Sequence, residues 1–386
     1  MRILHIANGD DCLGSAKCLY ELLEYENKTS WCTPVVITPH KNKMNEWCNN
    51  NQIENYSFNY YEFMYPVHDD KAWIKYPLRR IQYHINKMFI WKSINKIKKI
   101  KKIDIVHTNN SLTDFGKIIS NKLDIPHIWH LRECGLEGLA LTPYINNYIE
   151  YMIDGTTIFI AVSEAVKKEW VKLGISNELI KTIYDGVSIP KDLIIENKKN
   201  EGKIKFVLVG AYNDTKGQMQ IINALKNLDT SILSKITIDF WGIGTENYTE
   251  LLKNKIKQFN LEKYIHMKGY TDNVWNTLKN YDVGFNCTKY EAFGRTTVEY
   301  LISGIPVIAA NLGSNIELIN DVKFGKLYEY SDIDDLKKTI VYFVNNIEGY
   351  KENKKNLSLQ CKDIYSSANN ANKMLYLYKN IKGVIK

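Results

Sequence analysis

Short apolar runs alternate along the chain with longer stretches in which apolar positions recur every three or four residues. Buried strands read as such runs and amphipathic helices as such stretches, so the alternation predicts a doubly wound α/β sheet. Strands are predicted over 2–7, 34–38, 103–107, 127–131, 157–162 and 180–183, and again over 205–209, 236–241, 265–268, 283–287, 306–309 and 325–327. The second set restarts at Ile204-Lys205-Phe206-Val207-Leu208-Val209-Gly210, a buried strand ending in glycine. Two sets of six imply two similar halves. A chain of 386 residues also exceeds what a single core usually supports. The expected division is a first Rossmann-like domain over 1–188, a linker over 189–203 rich in Asn, Lys and Glu, a second Rossmann-like domain over 204–365, and a carboxyl-terminal helix over 366–386 that returns toward the first domain.

Composition narrows the class. A hydrophobic fraction of 45% with 24% charged residues excludes wholesale disorder. No apolar run approaches the roughly 18 residues of a membrane helix, and the apolar run at the amino terminus is too short for a signal peptide. The expected location is the cytoplasm. The seven cysteines form no Cys-x-x-Cys pair, so neither a disulfide framework nor a zinc site is signalled. Asp332-Ile333-Asp334 reads as a solvated helix start, not a metal ligand pair.

The formal net charge of +8 is unevenly placed. Of the 51 Lys and Arg, 11 lie within 71–102, where no acidic residue occurs; the other 40 face 43 acidic residues. Within that segment Leu78, Ile81, Ile85 and Met88 recur at helical spacing, followed by Trp91, Ile94 and Ile97 among lysines. Two readings stay open: a stripe packed on the sheet with a solvated basic face, or a surface held against anionic lipid on the inner face of the cell membrane.

The segment 290–306 is the richest in chemistry. A predicted strand ends near Cys287, a loop follows, and a helix starts after Gly294 and is stopped by Gly304. Gly294 permits close backbone approach, while the helix-start amides of Arg295, Thr296 and Thr297 form an anion site. The planar guanidinium of Arg295 matches phosphate oxygens. Glu291 and Glu299 bracket this site and offer acceptors for sugar hydroxyls. Donors for phosphate flanked by acceptors for hydroxyls describe a nucleotide-sugar pocket.

With Glu291 and Glu299 as its Glu-x7-Glu pair, the chain resembles the retaining glycosyltransferases of GT-B fold, family 4. The likeness extends through Asp104-Ile105-Val106-His107, Ala161-Val162-Ser163-Glu164, Asp185-Gly186-Val187, Gly210 with Lys216-Gly217, His266-Met267-Lys268-Gly269-Tyr270 and Gly304-Ile305-Pro306. It implies two Rossmann-like domains facing a central cleft, with the acceptor bound by the first and the nucleotide-sugar by the second. It implies that Glu299 binds ribose hydroxyls, Glu291 contacts the sugar, and Phe293, Gly294, Arg295, Thr296 and Thr297 hold the sugar and diphosphate. Gly210 ends the strand before Lys216, which neutralises the diphosphate. On the same resemblance, Gly14 would close over the phosphates, the backbone near Tyr270 would meet the base, and His130 would stand near the reacting carbon. His107 is read as structural. Catalytic roles thus fall to His130, Lys216, Glu291 and Arg295, with no metal and no cofactor.

The sequence departs from the family twice. Ala211 stands where the family usually has an arginine, and Arg295 is expected to supply the missing charge. Asp185 stands where asparagine is common, a difference a turn tolerates. The expected reaction moves a sugar from a nucleotide-sugar, UDP first, to a glycan or lipid-linked acceptor of a bacterial surface polysaccharide such as capsule or O-antigen. The alternatives are a nucleotide-sugar epimerase, which lacks a reason for the glutamate pair, and a basic nucleic-acid-binding protein, for which no recognition motif occurs.

Overall fold

The computed structural model describes every residue except 8–13, 67–71, 101, 136–140, 196–201 and 385–386. Cys12 and Leu13 beside Gly14, and Lys71 and Lys101 of the basic segment, lie outside the described residues. The chain divides into two compact units, Met1–Ser188 with Ser367–Lys386, and Ile189–Ser366.

The first unit holds β1 (Arg2–Ile6), β2 (Thr33–Thr38), β3 (Glu54–Ser57), β4 (Met64–Pro66), β5 (Ile105–Thr108), β6 (His127–Leu131), β7 (Leu141–Pro143), β8 (Ile158–Ala161) and β9 (Ile180–Thr182). Seven of these form a parallel sheet in the order β3-β2-β1-β5-β6-β8-β9, and β4 pairs antiparallel with β7. The second unit holds β10 (Ile204–Val209), β11 (Ile236–Trp241), β12 (Ile265–Gly269), β13 (Val283–Asn286), β14 (Val307–Ala310) and β15 (Gly325–Tyr328). They form a parallel sheet in the order β12-β11-β10-β13-β14-β15. Both sheets run outward in one direction from their first strand and then reverse, which opens a crevice at the carboxyl ends of β1 and β5 in one and of β10 and β13 in the other.

The central strands are mostly apolar because helices cover both faces of a parallel sheet. Ile3, Ile105, Ile128 and Ile160 share one core with Ala371, Met374, Leu375 and Tyr378 of the terminal helix Ser367–Val384. Phe206, Leu208, Ile238, Phe240 and Phe285 anchor the core of the second unit. All the predicted strands form, within one or two residues at their ends. The pattern gives no signal for β3, β4 and β7. Glu54-Asn55-Tyr56-Ser57 is a polar edge strand, and the other two are three residues long.

The basic segment folds as a helix, Ala72–Ile97, and its stripe departs from the expected packing on the sheet. Leu78, Ile81, Ile85 and Met88 do not pack on the sheet: they are 47% to 69% exposed. The buried face carries Tyr83, Ile94 and Ile97, nearly opposite on a 3.6-residue turn. Tyr83 donates to Asp114 Oδ2 at 2.5 Å, Tyr76 to the Pro143 carbonyl at 2.8 Å, and Lys87 to the Tyr151 hydroxyl at 2.9 Å. These polar anchors turn the apolar stripe outward, with Trp73 and Trp91 exposed near its ends. No helix among the described residues is long and apolar enough to cross a membrane.

Candidate functional site

The crevice of the second unit gathers most of the predicted donor-site residues. β10 ends at Val209, and the chain passes Gly210 into a short turn, Asp214–Lys216, whose side-chain cap is Asn213. Gly217 follows at φ +79°, and a Cβ there would stand 2.7 Å from the Cys287 carbonyl oxygen. Only glycine satisfies both demands, and the close approach brings Lys216 against the loop after β13. Lys216 Nζ lies 3.4 Å from Thr288 Oγ1 and 4.0 Å from Glu291 Oε2.

Glu291 is held on both oxygens, since Oε1 accepts from Gly294 N at 3.1 Å and Oε2 from Asn286 Nδ2 at 3.1 Å. Asn286 also donates to Thr297 Oγ1 at 2.7 Å, so the hydroxyl of the fully buried Thr297 braces the loop from below. Gly294 takes φ +81° and opens the helix Arg295–Ile302, whose first internal bond runs from Val298 N to Gly294 O. The helix ends in a Schellman turn: Gly304 N bonds Leu301 O, and Ile305 N bonds Tyr300 O. Val209, Lys216, Asn286, Thr288, Glu291 and Thr296 line the resulting crevice.

Arg295 pairs with Glu299: its Nε lies 3.2 Å from Glu299 Oε1, and both side chains are largely buried. Phe293 is buried, its ring 6.2 Å from that of Tyr365. Tyr270 follows β12 at the edge of the sheet, well exposed and away from Lys216 in strand order. Asp332 caps the helix Ile333–Tyr365 by accepting from Asp335 N at 2.9 Å, the helix start foreseen for that segment.

Asn286, Thr288 and Tyr300 had not been singled out. Asn286 is legible as the polar residue that closes an apolar strand, and Thr288 as the polar residue just beyond it. Tyr300 gives no sequence signal, yet its buried hydroxyl accepts from Val209 N at 2.8 Å and ties the end of β10 to the helix. Tyr300→Phe leaves that amide without its partner, so stability should drop by about 1–3 kcal/mol in urea titration. Wild-type stability in the variant would assign the amide another acceptor.

In the first unit Gly14 opens the helix Gly14–Asn27. His130 sits near the carboxyl end of β6, 1% exposed. Its Nδ1 lies 3.2 Å from His107 Nε2, and its Nε2 has no partner among the described residues. Burial foremost, then the Arg132 charge, holds the imidazole of His130 well below the usual histidine range. Asp185 is no turn ornament. It is buried and accepts from Arg132 Nη1, while Arg132 Nε donates to the Asn109 carbonyl at 2.8 Å. Asparagine at 185 would take from the buried guanidinium its ion-pair partner, so the position does more than shape a turn.

Two family models match: Glycosyltransferase Family 4 over residues 62–190 and Glycosyl transferases group 1 over residues 191–358. An uncharacterized glycosyltransferase of Methanocaldococcus jannaschii is 30% identical over 277 residues, 70% of this chain and 73% of that one. The UDP-Gal:alpha-D-GlcNAc-diphosphoundecaprenol alpha-1,3-galactosyltransferase of Escherichia coli is 25% identical over 64% of this chain and 68% of its own length. Among solved structures, HepE of Anabaena in complex with UDP superposes with a TM-score of 0.76 at 18% identity, covering 98% of this chain and all of that one. Two parallel doubly wound sheets, a lysine and a glutamate converging at the second reversal, and matching models across both units lead to one assignment: the chain belongs to glycosyltransferase family 4, with the GT-B fold.

Proposed function

We propose that this glycosyltransferase transfers a sugar, with retention, from a nucleotide-sugar to a glycan or lipid-linked acceptor in the assembly of a bacterial surface polysaccharide. The observation that carries the reading is the convergence of Lys216, the braced Glu291 and the helix start at Gly294 in one crevice. Breaking the anomeric bond puts negative charge on the departing diphosphate. Lys216 and the amides of Arg295, Thr296 and Thr297 stabilise that charge where it develops, while Glu291 and Glu299 accept from sugar and ribose hydroxyls. Glu291 suits its role because two donors already hold it in place, so little ordering remains to be done on binding. Arg295 serves the diphosphate by turning from Glu299 once the nucleotide's ribose engages that carboxylate. Gly210 and Phe293 shape the donor pocket, Gly14 closes on the phosphates, the backbone at Tyr270 meets the base, and His130 touches the ligand. The chain's own cations carry the leaving-group charge, so no metal is required. UDP is the favoured nucleotide, and HepE, of the same fold, binds it. The test is release of nucleoside diphosphate on mixing the protein with UDP-, GDP- and ADP-sugars and candidate acceptors. Release with none of them would remove the reading.

The acceptor reading gains support from the outward face of the helix Ala72–Ile97. An apolar stripe bordered by cations, in a segment 71–102 with no carboxylate, fits the surface of an anionic membrane, where a lipid-linked acceptor would lie. A second copy of the helix fits worse, since its own cations would meet these. Each Lys or Arg near such a surface contributes about 1 kcal/mol. Replacing Lys96, Lys98, Lys99, Lys101 and Lys102 with Gln should therefore weaken sedimentation with phosphatidylglycerol vesicles at least tenfold at low salt, as should Ile81→Gln with Ile85→Gln. Unchanged binding in both variants would leave the stripe without this role.

A further inference from the structure

Three histidines stand side by side on adjacent strands of the first unit: His5 on β1, His107 on β5 and His130 on β6. All are buried, and their contacts form a chain. His107 Nδ1 is 2.7 Å from the Tyr378 hydroxyl of the terminal helix, and His107 Nε2 is 3.2 Å from His130 Nδ1. The rings of His107 and His130 are nearly parallel, 17° apart. Arg132 Nη2 lies 3.5 Å from the same His130 Nδ1. Its guanidinium is fixed by Asp185 and by Asn109, which accepts from Arg132 Nη2 at 3.1 Å on Oδ1.

These contacts have a direction. A guanidinium can only donate, so the Nδ1 facing it presents a lone pair. A neutral imidazole carries one N–H, which in His130 is then on Nε2. The same lone pair takes the Nε2–H of His107, and His107 Nδ1 in turn accepts the Tyr378 O–H. Each contact from Arg132 to Tyr378 then joins a donor to an acceptor, and the Glu26 carboxylate beside Tyr378 is left to His5 Nε2 at 2.8 Å. What remains over is His130 Nε2, buried, at the ligand-binding end of the strand and without a partner among the described residues.

We propose that Arg132 and the Tyr378–His107 pair lock His130 as its Nε2–H tautomer, so that it meets the ligand as a hydrogen-bond donor to oxygen and not as a proton acceptor. Tyr378 and His107 act through His130 and are positioning residues. The ligand contact rests on the reading of His130 given above, whereas the tautomer does not. Burial, which keeps His107 and His130 neutral, supports the same picture. One competing direction is open to test: were the Tyr378 O–H donated to the Glu26 carboxylate instead, His107 would donate from Nδ1 and His130 would be protonated on Nδ1.

Long-range proton–nitrogen correlation spectra of the full chain, labelled with 15N-histidine, separate the two. Signals are assigned through His107→Gln and His130→Leu. Both rings are expected to be protonated on Nε2, without titration between about pH 6 and 8. Protonation of His130 on Nδ1, or a midpoint inside that window, overturns the proposal. In Tyr378→Phe the His107 signals should split between tautomers, and kcat for nucleoside diphosphate release should fall about fivefold at unchanged KM for the nucleotide-sugar. Unchanged signals and unchanged kcat in that variant would remove Tyr378 from the chain. Should the Nε2–H tautomer be found and His130→Leu turn over like wild type, the tautomer stands and the contact of His130 with the ligand falls.

Discussion

Lys216→Ala is expected to slow nucleoside diphosphate release by about 10²–10³-fold, the usual cost of removing one preorganised group from a developing anion. Folding should be nearly untouched. The side chain is a third exposed, its hydrogen bond to Thr288 Oγ1 is 3.4 Å long, and its ion pair with Glu291 is 4.0 Å long. A pair of that kind contributes at most about 1 kcal/mol to stability. Loss of turnover without loss of melting temperature therefore separates a catalytic cation from a structural one, and near-normal turnover would remove Lys216 from the mechanism. Arg295 gives a sharper test of the charge arrangement. With Ala211 beside Gly210, Arg295 is the second cation proposed for the diphosphate, although in this structure it is paired with Glu299. Arg295→Ala should then cost a similar factor, and Ala211→Arg in that background should recover part of it. An Arg295→Ala enzyme near wild type beside a dead Lys216→Ala enzyme would leave Lys216 as the sole cation of the leaving group.

The sheets were legible because a strand buried on both faces must be largely apolar, as Val307–Ala310 is throughout and Ile204–Val209 is except at the exposed Lys205. The loop after β13 was legible for a different reason. Gly294 and Gly304 are required by backbone conformation, at φ +81° and +72°, and they mark where the helix starts and stops. What periodicity could not supply was direction. The stripe Leu78, Ile81, Ile85 and Met88 was plain in the sequence, yet which side faces the sheet depends on Asp114, Tyr151 and Pro143, distant residues that hold Tyr83, Lys87 and Tyr76. Asp185 was misread for the same reason. Its partner Arg132 lies 53 positions away, and no local pattern announces a buried ion pair. The pair Arg295 and Glu299 was within reach, because a spacing of four on a helix brings side chains together.

The buried histidines impose a second large effect, on stability. His107, His127 and His130 are each fully buried, and desolvation is the first cause that lowers all three. For His127, flanked by Lys117 and bonded to Thr108 Oγ1 and Thr156 Oγ1, the value falls to about 3. Arg132 adds to the lowering at His107 and His130, as does His5. Above about pH 6.5 these groups are neutral whether the chain is folded or not, and they make no demand on stability. Below it the unfolded chain takes up protons that the folded chain refuses, so stability falls as pH falls, by up to about 1.4 kcal/mol per group for each pH unit. With three such groups the fall is steeper than with one, and it draws on a total stability of only about 5–15 kcal/mol. The first unit should therefore unfold in mild acid while the second persists. Two transitions should appear in calorimetry at pH 5 to 5.5, and stability should be flat from pH 7 to 8. His127→Gln removes one of the three protons and should reduce the slope of unfolding free energy against pH by about a third. A first unit as stable at pH 5 as at pH 7.5 would mean that these histidines accept protons while folded, through water or a rearranged chain from His5 to Tyr378.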